Sequence, residues 1–295
     1  MAGSGQIRQL RRRIKSVRST QKITRAMEMI AASRILKAQR RVREARPYAE
    51  QIHGIIKGLA ASQEVAAHPL LQVRDDVRNV AVVVLTSDRG LAGAYNANIL
   101  KLGERTIRDE EAAGRSVDLY IVGRKGGGYF NYRGRRAVRA WEGVSDEPVL
   151  DDAAGIAATV MERYRTSELD RVWLVYTDFR SSLNQVPVRM ELLPVKPEEF
   201  GGGSELPPEF LFIPGRDVIL DRLIPRYVEA KVFHGLLESS ASEHAARQRA
   251  MKSATDNAND VANSMSQVMN QARQDQITTE ISEIVGGAEA LSQGR

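Results

Sequence analysis

The stretch QIRQLRRRIKSVRSTQKITRAMEMIAASRILKAQRRVREA, residues 6–45, decides the fold. Its apolar residues recur at heptad spacing: Ile7, Leu10, Ile14 and Val17, then Ala31, Ile35, Ala38, Val42 and Ala45, with Ile52, Ile56 and Leu59 continuing the register. A stripe this narrow marks a coiled-coil seam rather than the broad face of a globular helix. Near the other end Ala258, Val261, Met265, Val268 and Ala272 repeat the pattern. Neither helix buries such a stripe alone, so each is the other's nearest partner. The middle of the chain is then expected to carry a rod made of the two ends, and a rod spans or transmits rather than housing an active site.

The first helix is expected from about Ser4, as N-cap, to Ala61. At about 1.5 Å per residue, 50–55 residues reach about 75–85 Å. Pro47 removes a backbone hydrogen bond and is expected to kink the helix, with the register unchanged on either side. The polar residues around His68, Pro69 and Asp75 mark a linker.

From Arg78 to Val195 the pattern changes. NVAVVVLTS reads as a buried strand, followed by the turn SDRGLAGAY and a helix over 96–113. A strand at 117–122, the glycine-rich RKGGG, a short strand at 137–141 and a helix at 151–165 follow, the last with Asp151 or Asp152 as cap. Strands at 171–179 and 186–193, separated by the polar SSLNQ, read as a hairpin. Strands alternating with helices imply a mostly parallel, doubly wound sheet. Residues 197–214 are rich in Pro, Gly and Glu and read as a loop. A second long helix runs from about Val218 to Leu291, with Pro225 as a candidate for its first turn.

The 295 residues suffice for one or two domains with a sizeable core. There is no cysteine, which removes disulfides, thiolate metal sites and cysteine nucleophiles. The opening residues show no signal-peptide core, and no run approaches about 18 apolar residues. A soluble or peripheral cytoplasmic protein is therefore expected. The net charge of +6 is uneven: residues 1–46 hold 14 Lys/Arg and 2 Asp/Glu, or +12, which leaves −6 for the rest. Such a helix suits nucleic acid, an acidic membrane or an acidic protein surface, or is simply a solvated face.

Chemistry-bearing motifs are sparse. GLAG after the first strand suggests a phosphate-binding turn, but it fits neither the dinucleotide fingerprint nor the P-loop. His53, His68, His234 and His244 lack ligand spacing. No nucleophile triad or carboxylate pair is visible. The seams say more. In the first helix the register meets the polar Gln21, Thr24 and Glu28 while apolar residues move to Ile23, Met27 and Ile30. In the last helix the register demands Asp275 and Thr279 while the stripe jumps to Ile277, Ile281, Ile284 and Ala288. Two such slips would unwind the coil locally and turn a contact band towards an outside partner.

Three further stretches carry a resemblance. TQKITRAMEMIAASR at 20–34, TSDRGLAGAYN at 86–96, and SEHAARQRAMKSATDNA at 242–258 with NQARQDQITTEISEIVGGAEAL at 270–291 resemble, in order, signatures of the F-type ATP synthase gamma-subunit family. The resemblance spans essentially the whole chain. It implies an α/β fold class: a long antiparallel coiled coil of the terminal helices plus a Rossmann-like doubly wound domain. The expected divisions are 1–62 and 216–295 for the coiled-coil helices, 63–77 for a linker, 78–196 for the α/β domain and 197–215 for a foot. It also implies a non-catalytic central rotor without a cofactor or metal of its own. One copy would meet three alpha and three beta subunits, the epsilon subunit and the c-ring, at the cytoplasmic face of the inner membrane, with no nucleic acid.

By position, Arg25 and Met27 match the family's contact with an acidic beta-subunit loop. Arg273, Gln274 and Thr278 match its polar contact with another beta-subunit loop, and Phe210, Leu211 and Phe212 match the foot facing the c-ring. Ile213 stands where some members carry an acid, which favours an apolar foot. Two competing readings remain at this level: a nucleic-acid-binding coiled coil, whose binding would weaken steeply with salt, and a small-nucleotide enzyme built on the α/β domain.

Overall fold

The computed structural model describes residues 2–59, 68–196 and 215–293. It divides into two compact units, residues 1–30 with 248–295, and residues 31–247. The first helix, α1 (Ala2–Leu59), and the last, α5 (Arg216–Gln293), each contribute to both units.

In the larger unit five strands form one sheet in the order β3-β2-β1-β4-β5. They are β1 (Asn79–Leu85), β2 (Ser116–Val122), β3 (Arg139–Trp141), β4 (Arg171–Phe179) and β5 (Gln185–Leu193). β1 runs parallel to both β2 and β4, β2 parallel to β3, and β5 antiparallel to β4 as the hairpin predicts. Three helices connect the strands: α2 (Tyr95–Ala112), α3 (Arg124–Tyr132) and α4 (Leu150–Arg165). Every residue of β1 after Asn79 is buried, because both faces of the sheet are covered. Val80, Val82 and Val84 pack with Ile99 and Ile107 of α2 and Phe130 of α3. Ala81, Val83 and Leu85 pack on the other face with Ile156 and Val160 of α4, and with Ile52, Ile56, Ile224, Val228 and Leu236 from the two long helices. This is the doubly wound architecture expected from the strand–helix alternation.

Several local expectations are corrected. RKGGG, where the sequence reading placed no helix, forms the first turn and a half of α3. A glycine-rich helix is intrinsically weak, at about 1 kcal/mol per Gly relative to Ala, so tertiary contact must hold it. A β-carbon on Gly126 would lie 2.8 Å from both Ile121 and the Thr86 hydroxyl, so the helix rests directly on the sheet. Helix α4 is not capped by Asp151 or Asp152. Val149 is its N-cap, and Asp152, in the first turn, accepts the Val149 N–H at 2.9 Å. Ser4 lies within α1 rather than at its cap, and α5 starts at Arg216, nine residues before Pro225. Pro47 and Pro225 both sit inside helices.

Candidate functional site

In the smaller unit α1 and α5 pair antiparallel. Thr24 lies against Thr255, with 2.7 Å between hydroxyls, and Gln21 Nε2 donates to Asn259 Oδ1 at 3.3 Å. One hydroxyl donates to the other, and the other donates to a carbonyl of its own helix, Gln21 for Thr24 or Met251 for Thr255. The seam therefore carries a satisfied polar layer.

This overturns the register slip expected in α1. Thr24 is buried and Gln21 and Glu28 are half-buried, in unbroken sequence with Ile14 and Val17. Ile23 and Ile30, the supposed displaced stripe, are both more than half exposed. Gln21 and Thr24, which hydrogen-bond across the interface, stay in the seam, because local rewinding would cost the pairing on both sides. The α5 register is also corrected. Its covered positions are Met251, Thr255, Ala258, Ala262, Met265, Met269, Ala272 and Gln276, while Val261 and Val268 face outward. No jump to Ile277 occurs. From Ile277 to Ala288 every side chain is exposed. The pairing sets residue 24 against 255, so the start of α1 falls opposite about residue 277. The stripe emerges where the partner helix ends.

The sequence-predicted contact residues lie in two separate bands. Arg25 is exposed and Met27 half-buried. With Gln21, Lys22, Ala26, Met29 and Thr255, Arg25 lines an open groove of about 490 Å³ that carries two cations. Arg273, Gln274 and Thr278 are exposed near the other end of the paired segment. By the pairing Arg25 faces residue 254, so Arg273 lies 19 residues, about 28 Å, further along the axis. The two bands do not converge on one pocket. Phe210, Leu211 and Phe212 lie outside the described residues.

In the larger unit the place to test for a nucleotide is the crevice at the carboxyl ends of β1 and β4, where the strand order reverses. Part of α5 lies across it. Ser239 Oγ accepts the Thr177 N–H, Ser242 Oγ donates to the Thr177 carbonyl, and Glu238 accepts the Phe179 N–H at 2.9 Å. Arg247 reaches the Gly90 carbonyl at 3.3 Å and pairs with the buried carboxylate of Glu243. Burial pushes the Glu243 carboxyl up and the Arg247 guanidinium opposes it, while burial pushes the His244 imidazole down against the pull of Asp146. The helix N-terminus at RKGGG is covered as well. Asp88 accepts the Arg124 N–H at 3.1 Å, and the Ser87 carbonyl accepts the Lys125 N–H at 3.0 Å. Gly123, at φ +95°, leaves only 2.4 Å between an added β-carbon and the Thr86 carbonyl. Gly123 and Gly126 thus let the start of α3 sit directly against Thr86, just past β1. Sequence reasoning missed this use of SEHAAR at 242–247. Its one signal was an unusual density of polar residues in a helix without an apolar face.

Among the described residues no helix is long and apolar enough to cross a membrane, and no group of three or more His, Asp or Glu is placed to hold a metal ion.

Comparison with known proteins agrees with this geometry. The family model described as ATP synthase matches residues 6–291. The ATP synthase gamma chain of Frankia casuarinae is 49% identical over 99% of both chains, and that of Streptomyces avermitilis 45% identical over 97% of this chain and 96% of its own. Among solved structures, the central stalk and c-ring of Tetrahymena thermophila mitochondrial ATP synthase contains a chain 25% identical at a TM-score of 0.63, covering 79% of this chain and 99% of that one. A chain of the Euglena gracilis mitochondrial ATP synthase, 18% identical, shares the fold at a TM-score of 0.66 over 99% of this chain and 96% of its own. The chain belongs to the ATP synthase gamma-chain family.

Proposed function

We propose that this chain is the central-stalk rotor of a proton-translocating F-type ATP synthase and couples proton flow to ATP synthesis or hydrolysis at the beta subunits. It is not catalytic by itself. The observation that carries the reading is the wholly exposed stretch of α5 from Ile277 to Ala288, where Ile277, Ile281, Ile284 and Val285 form an apolar stripe that α1 leaves uncovered. A stripe of this kind calls for cover from another protein, and a ring of three alpha and three beta subunits around one copy supplies it. Arg25 and Met27 then face an acidic beta-subunit loop, as suits the cationic groove. Arg273, Gln274 and Thr278 face a second loop about 28 Å along the axis, so the rotor meets each beta subunit at two heights. The α/β domain takes the epsilon subunit and Phe210, Leu211 and Phe212 the c-ring, at the cytoplasmic face of the inner membrane. Each rotational state favours one conformation of each beta subunit, and the shift cannot exceed the difference in contact free energy.

The test is size-exclusion co-elution with cognate alpha and beta subunits, reading stoichiometry and ATPase activity. One copy per three alpha and three beta, with activity that depends on it, is expected. The chain eluting alone would sink the reading. Within the complex, Met27→Lys adds a cation beside Arg25 and is expected to preserve assembly while lowering ATP-driven proton pumping relative to hydrolysis. Unchanged pumping would remove Met27 from the coupling contact.

A further inference from the structure

Three consecutive residues, Ser145, Asp146 and Glu147, hold three different parts of the larger unit. Ser145 exchanges two bonds with Asp88 at the end of β1: its N–H goes to the Asp88 carboxylate at 3.1 Å, and its hydroxyl accepts the Asp88 N–H at 2.9 Å. The Asp146 carbonyl lies 3.1 Å from Ser240 Oγ and 3.2 Å from His244 Nε2, both on α5. The Asp146 carboxylate pairs with Arg34 of α1, which holds it below the usual carboxylate range despite partial burial. Glu147 meets Lys37 at 2.8 Å and Arg41 at 3.8 Å, on the same helix. Arg34, Lys37 and Arg41 lie on one side of α1 at i, i+3 and i+7. Ala38 and Leu237 line the small gap between these groups.

We infer that Ser145-Asp146-Glu147 is the torque-bearing joint of the rotor, the place where the sheet grips both long helices just before they leave the α/β unit. The inference rests on the rotor reading. Single surface ion pairs contribute little to stability, so these contacts are poorly explained as stabilisers. Their arrangement fits resistance to rotation. A helix held by apolar packing alone can roll against its neighbours, whereas two directed cation–carboxylate hydrogen bonds and a looser third ion pair on one side fix its azimuth. The seryl and histidyl bonds to the Asp146 carbonyl pin α5 to the same point. The hydrogen bonds to α5 use the Asp146 backbone, and its carboxylate also lies 3.7 Å from His244 Nε2, so the exchange with Arg34, the partner it hydrogen-bonds, is what tests the α1 grip.

The chain has no cysteine, so Tyr132→Cys, at a site 92% exposed on α3, gives one attachment point for a bead. With the cognate alpha–beta head fixed to a surface, the angular variance of the bead without ATP reports rotor stiffness. Asp146→Asn with Glu147→Gln is expected to raise that variance by about twofold, since each contact loses its ion-pair attraction and keeps only a bond from a cation to a neutral amide. ATP hydrolysis at zero load should stay unchanged and pumping against a gradient should fall. The inverted pair Arg34→Asp with Asp146→Arg should restore wild-type variance, a rescue that loss of folding cannot imitate. Equal variance in the wild-type and neutralised complexes, or no rescue by the inverted pair, overturns the joint. Failure of the wild-type chain to enter the complex strikes the rotor reading instead.

Discussion

Two stretches of the same helix invert the usual rule of inside and outside. From Gly235 to Arg247 every residue of α5 is buried, although Glu238, Ser239, Ser240, Ser242, Glu243, His244 and Arg247 are polar or charged. From Ile277 to Ala288 every residue is exposed, although Ile277, Ile281, Ile284 and Val285 are large and apolar. Composition did not decide either placement; the available neighbours did. The first stretch crosses the open ends of β1 and β4, where backbone groups at Thr177, Phe179 and Gly90 need partners that apolar side chains cannot supply. The second has outrun α1, the one helix that covers α5 in the paired segment. A buried polar run inside a fold and an exposed apolar run outside it are both unfinished patterns. The first is completed by the chain itself, and the second awaits another chain.

The contrast breaks most sharply at Arg247. Arg247→Leu leaves the Glu243 carboxylate buried without its cation and is expected to cost about 3–5 kcal/mol, read as a lower urea midpoint. Burial raises the folded-state Glu243 pKa above its ordinary 4.5, so the folded state takes up this proton more readily than the unfolded one. Stability from this group therefore falls as pH rises through and above that value, and the cost of Arg247→Leu should be smaller at pH 5 than at pH 7. A midpoint unmoved by the substitution would show that Arg247 does not compensate the buried charge.

The exposed stretch should respond in the opposite way. Ile281→Asp with Ile284→Asp is expected to leave the urea midpoint of the isolated chain within about 0.5 kcal/mol. Affinity for the alpha–beta head should fall more than about tenfold, or about 1.4 kcal/mol. Loss of stability without loss of assembly would reverse the comparison.

A third prediction extends to acid. Asp170 accepts the N–H groups of Arg78 and Asn79 and pairs with Arg74. Despite partial burial, these bonds hold its carboxyl below the ordinary 3.8. Its contribution is complete above that value and is lost as pH falls through the lower folded-state pKa. Asp170→Asn should flatten the acid limb of the urea midpoint against pH, and an unchanged limb would assign acid unfolding to other carboxylates. The smallest effect is expected in the seam, where Thr24→Val with Thr255→Val removes both partners of a satisfied pair. The change in stability should stay within about 1 kcal/mol. Cysteines introduced at Gln21 and Asn259 should then crosslink less selectively if the polar layer fixes the register.

Much of this was legible in one sequence because it depends on local periodicity. The heptads of α1 predicted its seam through Ile14, Ala31 and Ile35, and the Val-rich β1 predicted a strand covered on both faces. The failures share a cause. Gln21, Thr24 and Glu28 were read as a slip because polarity was taken for exposure, whereas Thr255 and Asn259 across the interface give Thr24 and Gln21 their partners. Val261 and Val268 were preferred to Ala262 and Met269 because they are the more apolar type, whereas the seam takes the residues that face α1. RKGGG has almost no helical propensity, and it is helical because Asp88 and Thr86 receive its first turn.

The sequence by itself determined the element types, their order and the family, since each is written in periodicity and in motifs of neighbouring residues. Only the tertiary structure decided which polar groups go inside, how far α1 covers α5, and that Ser145, Asp146 and Glu147 meet both long helices. Those outcomes depend on hydrogen bonds and packing between residues from about sixty to more than two hundred positions apart, and no local pattern encodes such partners.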